Sequence, residues 1–216
     1  LPTHYFILDV SANLRQRQQD SLRKLLPESL FSRLQWLDEL PANFDGVVIG
    51  NEVLDAIPVH VLTWQKGAWQ ERGIAFESGL VWQLRPLQDA SLVQAIDAAP
   101  LADGYTTEVC PAARGLIASL ADMLGCGLIL MLDYGFAASE YYHPQRTQGT
   151  WMCHYQHYAH DDPLVYPGLQ DITAHVDFTA MAETALAHGL TCAGYTNQAQ
   201  FLINCGILQL LQQVSP

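Results

Sequence analysis

The stretch Phe44–His60, FDGVVIGNEVLDAIPVH, constrains the fold more than any other part of the chain. Val47, Val48 and Ile49, closed by Gly50, read as a short strand buried on both faces. Asn51, Glu52 and Asp55 follow, and Pro58 stops the segment. In an open α/β sheet the ligand crevice lies outside the carboxyl ends of the strands. An N-E-x-x-D sequence at such an end sets an amide and two carboxylates where a ligand would sit. The same residues also suit a plainer task, with Asn51 capping a following helix and the acids favouring its N-terminal dipole. The stretch alone leaves both readings open.

The rest of the chain repeats the pattern. Tyr5–Leu8 is an apolar run ending at Asp9, followed by Val10 and Ser11. Leu14, Leu22, Leu25 and Leu26 predict an amphipathic helix that Pro27 ends. Leu34–Leu37 predicts a strand followed by Asp38 and Glu39, and Leu128–Leu132 a second wholly buried strand ending at Asp133. Alternating apolar residues with turn punctuation over 59–85 predict an antiparallel insertion. Helices are expected over Ser91–Ala99, Ala112–Leu124, Thr179–His188 and Ala199–Val214, and a strand over Leu190–Tyr195. Residues 136–170 lack clear periodicity yet are rich in Tyr, His, Asp and Pro, which predicts a long ordered loop of functional use. Strands alternating with helices imply a mostly parallel, doubly wound α/β sheet in one domain spanning 1–216. The acids Asp9, Glu52 and Asp133 at three strand ends suit a nucleoside-like cofactor, because one carboxylate can accept from two ribose hydroxyls. Asp9 could equally cap the helix after it.

Composition narrows the partners. Half the 216 residues are hydrophobic, enough for a sizeable core, and a net charge of −12 without a Lys/Arg cluster argues against nucleic acid. Five cysteines form an odd set without a C-x-x-C pair, which favours reduced thiols in a reducing compartment. No apolar run reaches membrane-spanning length. His154, His157 and His160, with Asp161 and Asp162, invite a metal-hydrolase reading, but every-third spacing converges on neither a helix face nor a strand face, so no metal site is expected. Gly125-Cys126-Gly127 precedes a strand, the wrong order for a phosphate loop, and reads as a helix stop. A serine elbow is absent, and Cys153 beside His154 is not a nucleophile pair by adjacency alone.

Taken together, GNEVLDAIPVH, EVCPAARGLI, LDYGF, EYYHPQRTQGT, HDDPLVYPGLQDITAHVDF and QAQFLINCGI resemble the MidA-like family of S-adenosylmethionine-dependent methyltransferases, in order and over nearly the whole chain. The resemblance implies a class I, Rossmann-like methyltransferase sheet, S-adenosyl-L-methionine as cofactor and a protein arginine as acceptor. The mitochondrial members act in respiratory complex I assembly, which implies a respiratory-complex subunit as partner. The compartment would be the bacterial-type cytoplasm or the mitochondrial matrix, and a homodimer is compatible. FILDVSANLRQRQ looks like the family's second strand and helix, and the E-x-G-x-G loop of the first strand has no counterpart, so the chain is expected to be an N-terminally truncated piece. Thr150–His154 departs from a stretch that often holds Leu-Arg-Cys-Tyr. By resemblance Asp9, with Ser11, would hold the cofactor ribose, Asp38 the adenine, and Gly50 and Asn51 would border the cofactor. Asn51, Glu52, Asp55 and His175 would form the methyl-transfer face, since a guanidinium acceptor demands carboxylates. The alternative is an assembly factor that keeps the fold without turnover.

Overall fold

The computed structural model describes residues 2–94, 96 and 101–214. The chain forms two compact units, one made of Leu1–Gly46 and Met123–Cys126, the other of Val47–Asp122 and Gly127–Pro216.

In the first unit β1 (Tyr5–Leu8) runs parallel to β2 (Leu34–Leu37), in register from Tyr5 opposite Leu34 to Leu8 opposite Leu37. Parallel neighbours need a crossover, which α1 (Ala12–Leu25) and the short α2 (Glu28–Phe31) provide. Ser11 begins α1, its hydroxyl accepting from the Leu14 amide at 3.3 Å. Arg23 and Lys24 sit in the last turn, where positive charge complements the helix dipole. Both strands and the helix lie where the apolar runs place them.

Through the second unit the elements follow in chain order. β3 (Phe44–Asn51) begins in the first unit and pairs with β8 (Leu124–Leu132). Between them β4 (His60–Gln65), β5 (Ala68–Phe76), β6 (Leu80–Pro86) and β7 (Thr106–Val109) form an antiparallel sheet in the order β6-β5-β4-β7. Lys66 and Gly67, at φ 52° and 77°, make the two-residue turn whose twist matches a hairpin. α3 (Pro111–Met123) opens on a proline, at the helix position where a missing N–H costs nothing. After β8 come β9 (Gly135–Phe136), α4 (Ala138–Tyr141), β10 (Met152–Tyr155), β11 (Tyr158–His160), β12 (Asp171–Thr173), β13 (Val176–Asp177) and α5 (Phe178–Ala187). β9 and β13 are parallel, with Val176 opposite Gly135. Leu54, Ala113, Ile117, Val176, Ala180 and Met181 form one core, and Leu62, Ile96 and Val109 a second against Trp69 and Tyr142.

Several expectations give way. β3 and β8 are not covered on both faces: Val47 is 58% exposed, Ile49 65% and Leu128 44%. An apolar run records a residue preference, not which layers lie over it. α3 stops at Met123, just ahead of Gly125-Cys126-Gly127, and these three residues lie inside β8, which starts as soon as α3 ends. The stretch 136–170, expected as a long ordered loop, instead carries α4 and the hairpin β10–β11, which joins β12 in a small antiparallel sheet. Its hairpin turns on Gln156 and His157, both at positive φ without the usual Gly or Asn, so the turn signal is hidden. Leu190–Tyr195 is in no strand, and all of it but the half-buried Leu190 is exposed. The last helix is two, α6 (Gln198–Asn204) and α7 (Ile207–Val214), broken at Gly206 with φ 88°. Of the helix expected over Ser91–Ala99, a short 3₁₀ turn covers Ala90–Val93, Gln94 and Ile96 lie outside it, and Ala95 and 97–99 lie outside the described residues.

β9 leaves no room beside Gly135, where a Cβ would strike the Val176 carbonyl of the neighbouring strand. Gly135→Ala should therefore cost about 2 kcal/mol, the size usual for overpacking. Thermal unfolding should show Tm falling by roughly 4–8 °C.

Candidate active site

The ends of β3 and β8 meet through one carboxylate. Asp133, just past β8, turns Oδ2 toward three successive backbone amides, accepting from Val53 at 3.1 Å, Leu54 at 2.9 Å and Asp55 at 3.3 Å. Its Oδ1 accepts from the Tyr134 amide at 2.8 Å. Of the helix or tight turn compatible with residues 53–57 the tight turn is formed, and its amides are capped by Asp133 and not by Asn51. Glu52 enters this turn at φ 50°, a left-handed conformation that costs a non-glycine residue about 1 kcal/mol or more and is typical of functional positions. Its amide still reaches the Leu132 carbonyl at 2.9 Å, and its Oε1 accepts from the Tyr134 hydroxyl at 2.9 Å. Asn51 is exposed, and no hydrogen bond to its side chain is formed among the described residues. Gly50 is buried, and the space beside its Cα is filled by Met131 and Val53. It serves the close approach of two strands.

Asp55 and His175 join this cluster through the backbone. The Ala174 amide donates to the Asp55 carbonyl at 2.9 Å and the Val176 amide to the Tyr134 carbonyl at 2.7 Å, so His175 is held between two anchored neighbours. Asp55 is 7% exposed, and its Oδ1 has no hydrogen-bond partner among the described residues. Burial first, then the charges of Asp133 and Glu52, raise its pKa. His175 has a buried Nδ1 without a partner among the described residues, and burial, then Arg146, lowers its pKa, which favours the neutral ring. Its ring packs on Phe136 at 5.2 Å.

Sequence reasoning missed two participants. Tyr134 carries the only hydroxyl that reaches Glu52 among the described residues. Glu108 in β7 is fully buried at 0% exposure. Its carboxylate accepts from the Thr150 amide at 3.0 Å, the Thr150 hydroxyl at 2.9 Å and the Trp151 amide at 3.4 Å. Thr150 Oγ1 in turn accepts from the His175 amide at 3.1 Å, linking the buried acid to the site. The signal available was an acid, Glu108, in the short β-branched strand TTEV just before Pro111. A cavity of about 30 Å³ lies beside Leu54, Glu108, Tyr141 and His175, room for water and too small for a substrate. His154, His157 and His160 are spread over a strand, a turn tip and the returning strand.

The first unit holds the other predicted acids. Asp9 lies just after β1, its Oδ1 accepting from the Ser11 amide at 2.8 Å and its Oδ2 from Gln18 Nε2 at 2.9 Å. Gln18 is oriented in turn by Trp36 Nε1, which donates to its Oε1 at 3.1 Å. A carboxylate has about four acceptor positions, so about two remain for a vicinal diol. The Ser11 oxygen is engaged in capping α1. Asp38, highly exposed, pairs with Arg15.

A family model described as "Putative S-adenosyl-L-methionine-dependent methyltransferase" matches residues 2–196. The chain belongs to this family. It is 45% identical to a crystallised protein from Burkholderia thailandensis bound to S-adenosyl-homocysteine, with a TM-score of 0.94 over 99% of this chain and 56% of that one. It is also 32% identical, over 80% of its length, to the protein arginine methyltransferase NDUFAF7, mitochondrial, of Xenopus tropicalis. The Drosophila melanogaster homologue is 32% identical over 77% of this chain. The chain spans about two-fifths of the length of these curated relatives. The oriented Asp9 carboxylate, with acceptor positions to spare, has the chemistry to accept from two neighbouring hydroxyls.

A raised Asp55 pKa means that the folded state binds the proton more tightly than the unfolded chain. The ionised group therefore costs stability at neutral pH, and this cost disappears as pH falls toward the ordinary aspartate value of 3.8. Asp55→Asn should gain about 1 kcal/mol near pH 7 and nothing near that lower limit. Urea unfolding across pH checks both ends.

Proposed function

We propose that this chain contributes the ribose seat and the acceptor-binding face of a methyltransferase that modifies an arginine side chain of a protein. Support for the arginine acceptor comes from the named activity of the relatives and, within this chain, from the acids at the strand ends. The observation that carries the reading is Glu52, held in a strained left-handed conformation by Tyr134 and the Leu132 carbonyl, beside a buried Asp55 with an unused oxygen. Binding energy stored in such a conformation is worth keeping only if the carboxylate has a partner to meet.

The bound cofactor supplies a methyl group on a sulfonium. Asp9, oriented by Gln18 and Trp36, would hold the ribose, with Asp38 toward the adenine. Glu52 would pair with the guanidinium in a forked geometry, and Asn51 at the same strand end would align one of its nitrogens for methylation. His175, whose proton affinity burial lowers, would be the group to take the proton that this nitrogen gives up.

Titration calorimetry of the full-length protein with S-adenosylmethionine should give saturable binding, and Gln18→Leu should weaken it about tenfold by freeing the Asp9 carboxylate. An absence of binding into the millimolar range would sink the reading. Glu52→Gln should lower methyl transfer to an arginine peptide by about a hundredfold while sparing cofactor affinity. Should a partner still assemble normally with that variant, the binding-protein alternative gains the ground that turnover loses.

A further inference from the structure

We propose that a cleft on the antiparallel sheet, walled by Trp82 and Trp151 over Arg72, seats a protein segment carrying a carboxylate next to a basic side chain. The inference rests on the reading that the acceptor is a protein, and it shares no residue with the cluster around Glu52. The cleft encloses about 350 Å³ and is lined by Arg72, Trp82, Gln148, Trp151, Asp161 and Asp162. That volume is in the range of small-ligand and side-chain pockets.

Strand register builds the cleft. Ile74 lies opposite Trp82, and Arg72, two residues earlier on β5, points to the same face. Trp151 arrives from the segment that Glu108 anchors and stacks on Trp82, centroids 5.5 Å apart and planes 11° from parallel. Its indole N–H donates to the Asp161 carbonyl at 3.0 Å, which fixes the ring. The Arg72 guanidinium sits 4.3 Å from the Trp82 ring and 5.1 Å from that of Trp151.

Arg72 is half-buried, and no hydrogen bond or ion pair to its guanidinium is formed among the described residues. Arg15, Arg85 and Arg146, by contrast, each pair with a carboxylate. A partly desolvated cation with its donors unused is costly, and an oxyanion relieves the cost. The rigid fork fits a carboxylate through two parallel hydrogen bonds, while the ring faces hold the guanidinium in place. Asp161 and Asp162 select among oxyanions. They repel a multiply charged phosphate, as does the net charge of −12, but they accept a cation carried beside a carboxylate. A segment with an acidic residue close to a lysine or arginine satisfies both ends.

The probe is acetyl-Glu-Gly-Arg-amide, titrated against the full-length protein without cofactor while tryptophan fluorescence is followed. A saturable change is expected, reduced in amplitude in Trp82→Phe. The Kd should rise about tenfold in Arg72→Met, and about tenfold when acetyl-Gln-Gly-Arg-amide replaces the probe on the unaltered protein, since each removes one charge-assisted pair. The second comparison holds even if the variant folds poorly. No saturation up to about 10 mM would overturn the proposal, as would equal affinity for the two peptides. Displacement by inorganic phosphate as effective as by the peptide would reassign the cleft to phosphate groups and also overturn it. Because no methyl is transferred, failure here leaves the methyltransferase reading standing, and a protein inactive toward arginine that still binds the peptide sinks only that reading.

Discussion

The Asp133 carboxylate gathers the amides of Val53, Leu54 and Asp55, and the site around Glu52 depends on that grip. An acid placed against consecutive N–H groups is stabilised as strongly as at a helix N-terminus, without a helix being present. The grip forces the chain to leave β3 in a sharp turn, and Glu52 takes the left-handed conformation that the turn requires. Burial, and then the negative charge that this grip brings close, raise the proton affinity of Asp55. The same interaction thus shapes the site and makes it electrostatically uncomfortable, a common exchange of stability for function.

A second constraint lies behind it. Glu108 is buried without a cation, yet its oxygens receive N–H and O–H donors from Thr150 and Trp151. Gly149, at φ 75°, is needed there because a Cβ would overlap the Glu108 carboxylate. Through Thr150 this acid anchors the His175 backbone, and through Trp151 it sets one wall of the Arg72 cleft. Two surfaces with different chemistry therefore share one buried support.

Much of this was legible in one dimension. Tyr5–Leu8, Leu34–Leu37 and the helix between them follow from local apolar period, a serine cap and a closing proline, signals that need no distant partner. The acids after strands were visible for the same reason, because a strand end is marked by where its apolar run stops. What stayed hidden were side chains whose meaning comes from residues far away: Tyr134, 82 positions from Glu52, and Thr150, 42 from Glu108. The hairpin at Gln156-His157 was hidden for another reason, since its turn uses residues with no preference for positive φ.

By itself the sequence determined the strands Tyr5–Leu8 and Leu34–Leu37, the helix between them and the presence of carboxylates after four of the strands, because hydrophobic period and chain punctuation are properties of neighbours. It also carried the family, through motifs spread along its length. Only the tertiary structure decided what each carboxylate does. Asp133 became a brace, Asp55 a buried group with an unused oxygen, Asp9 an oriented acceptor, and Glu52 a strained and exposed one. The four acids have nearly the same intrinsic chemistry. Their roles diverge because solvation, hydrogen-bond donors and neighbouring charge are set by residues brought from elsewhere in the chain.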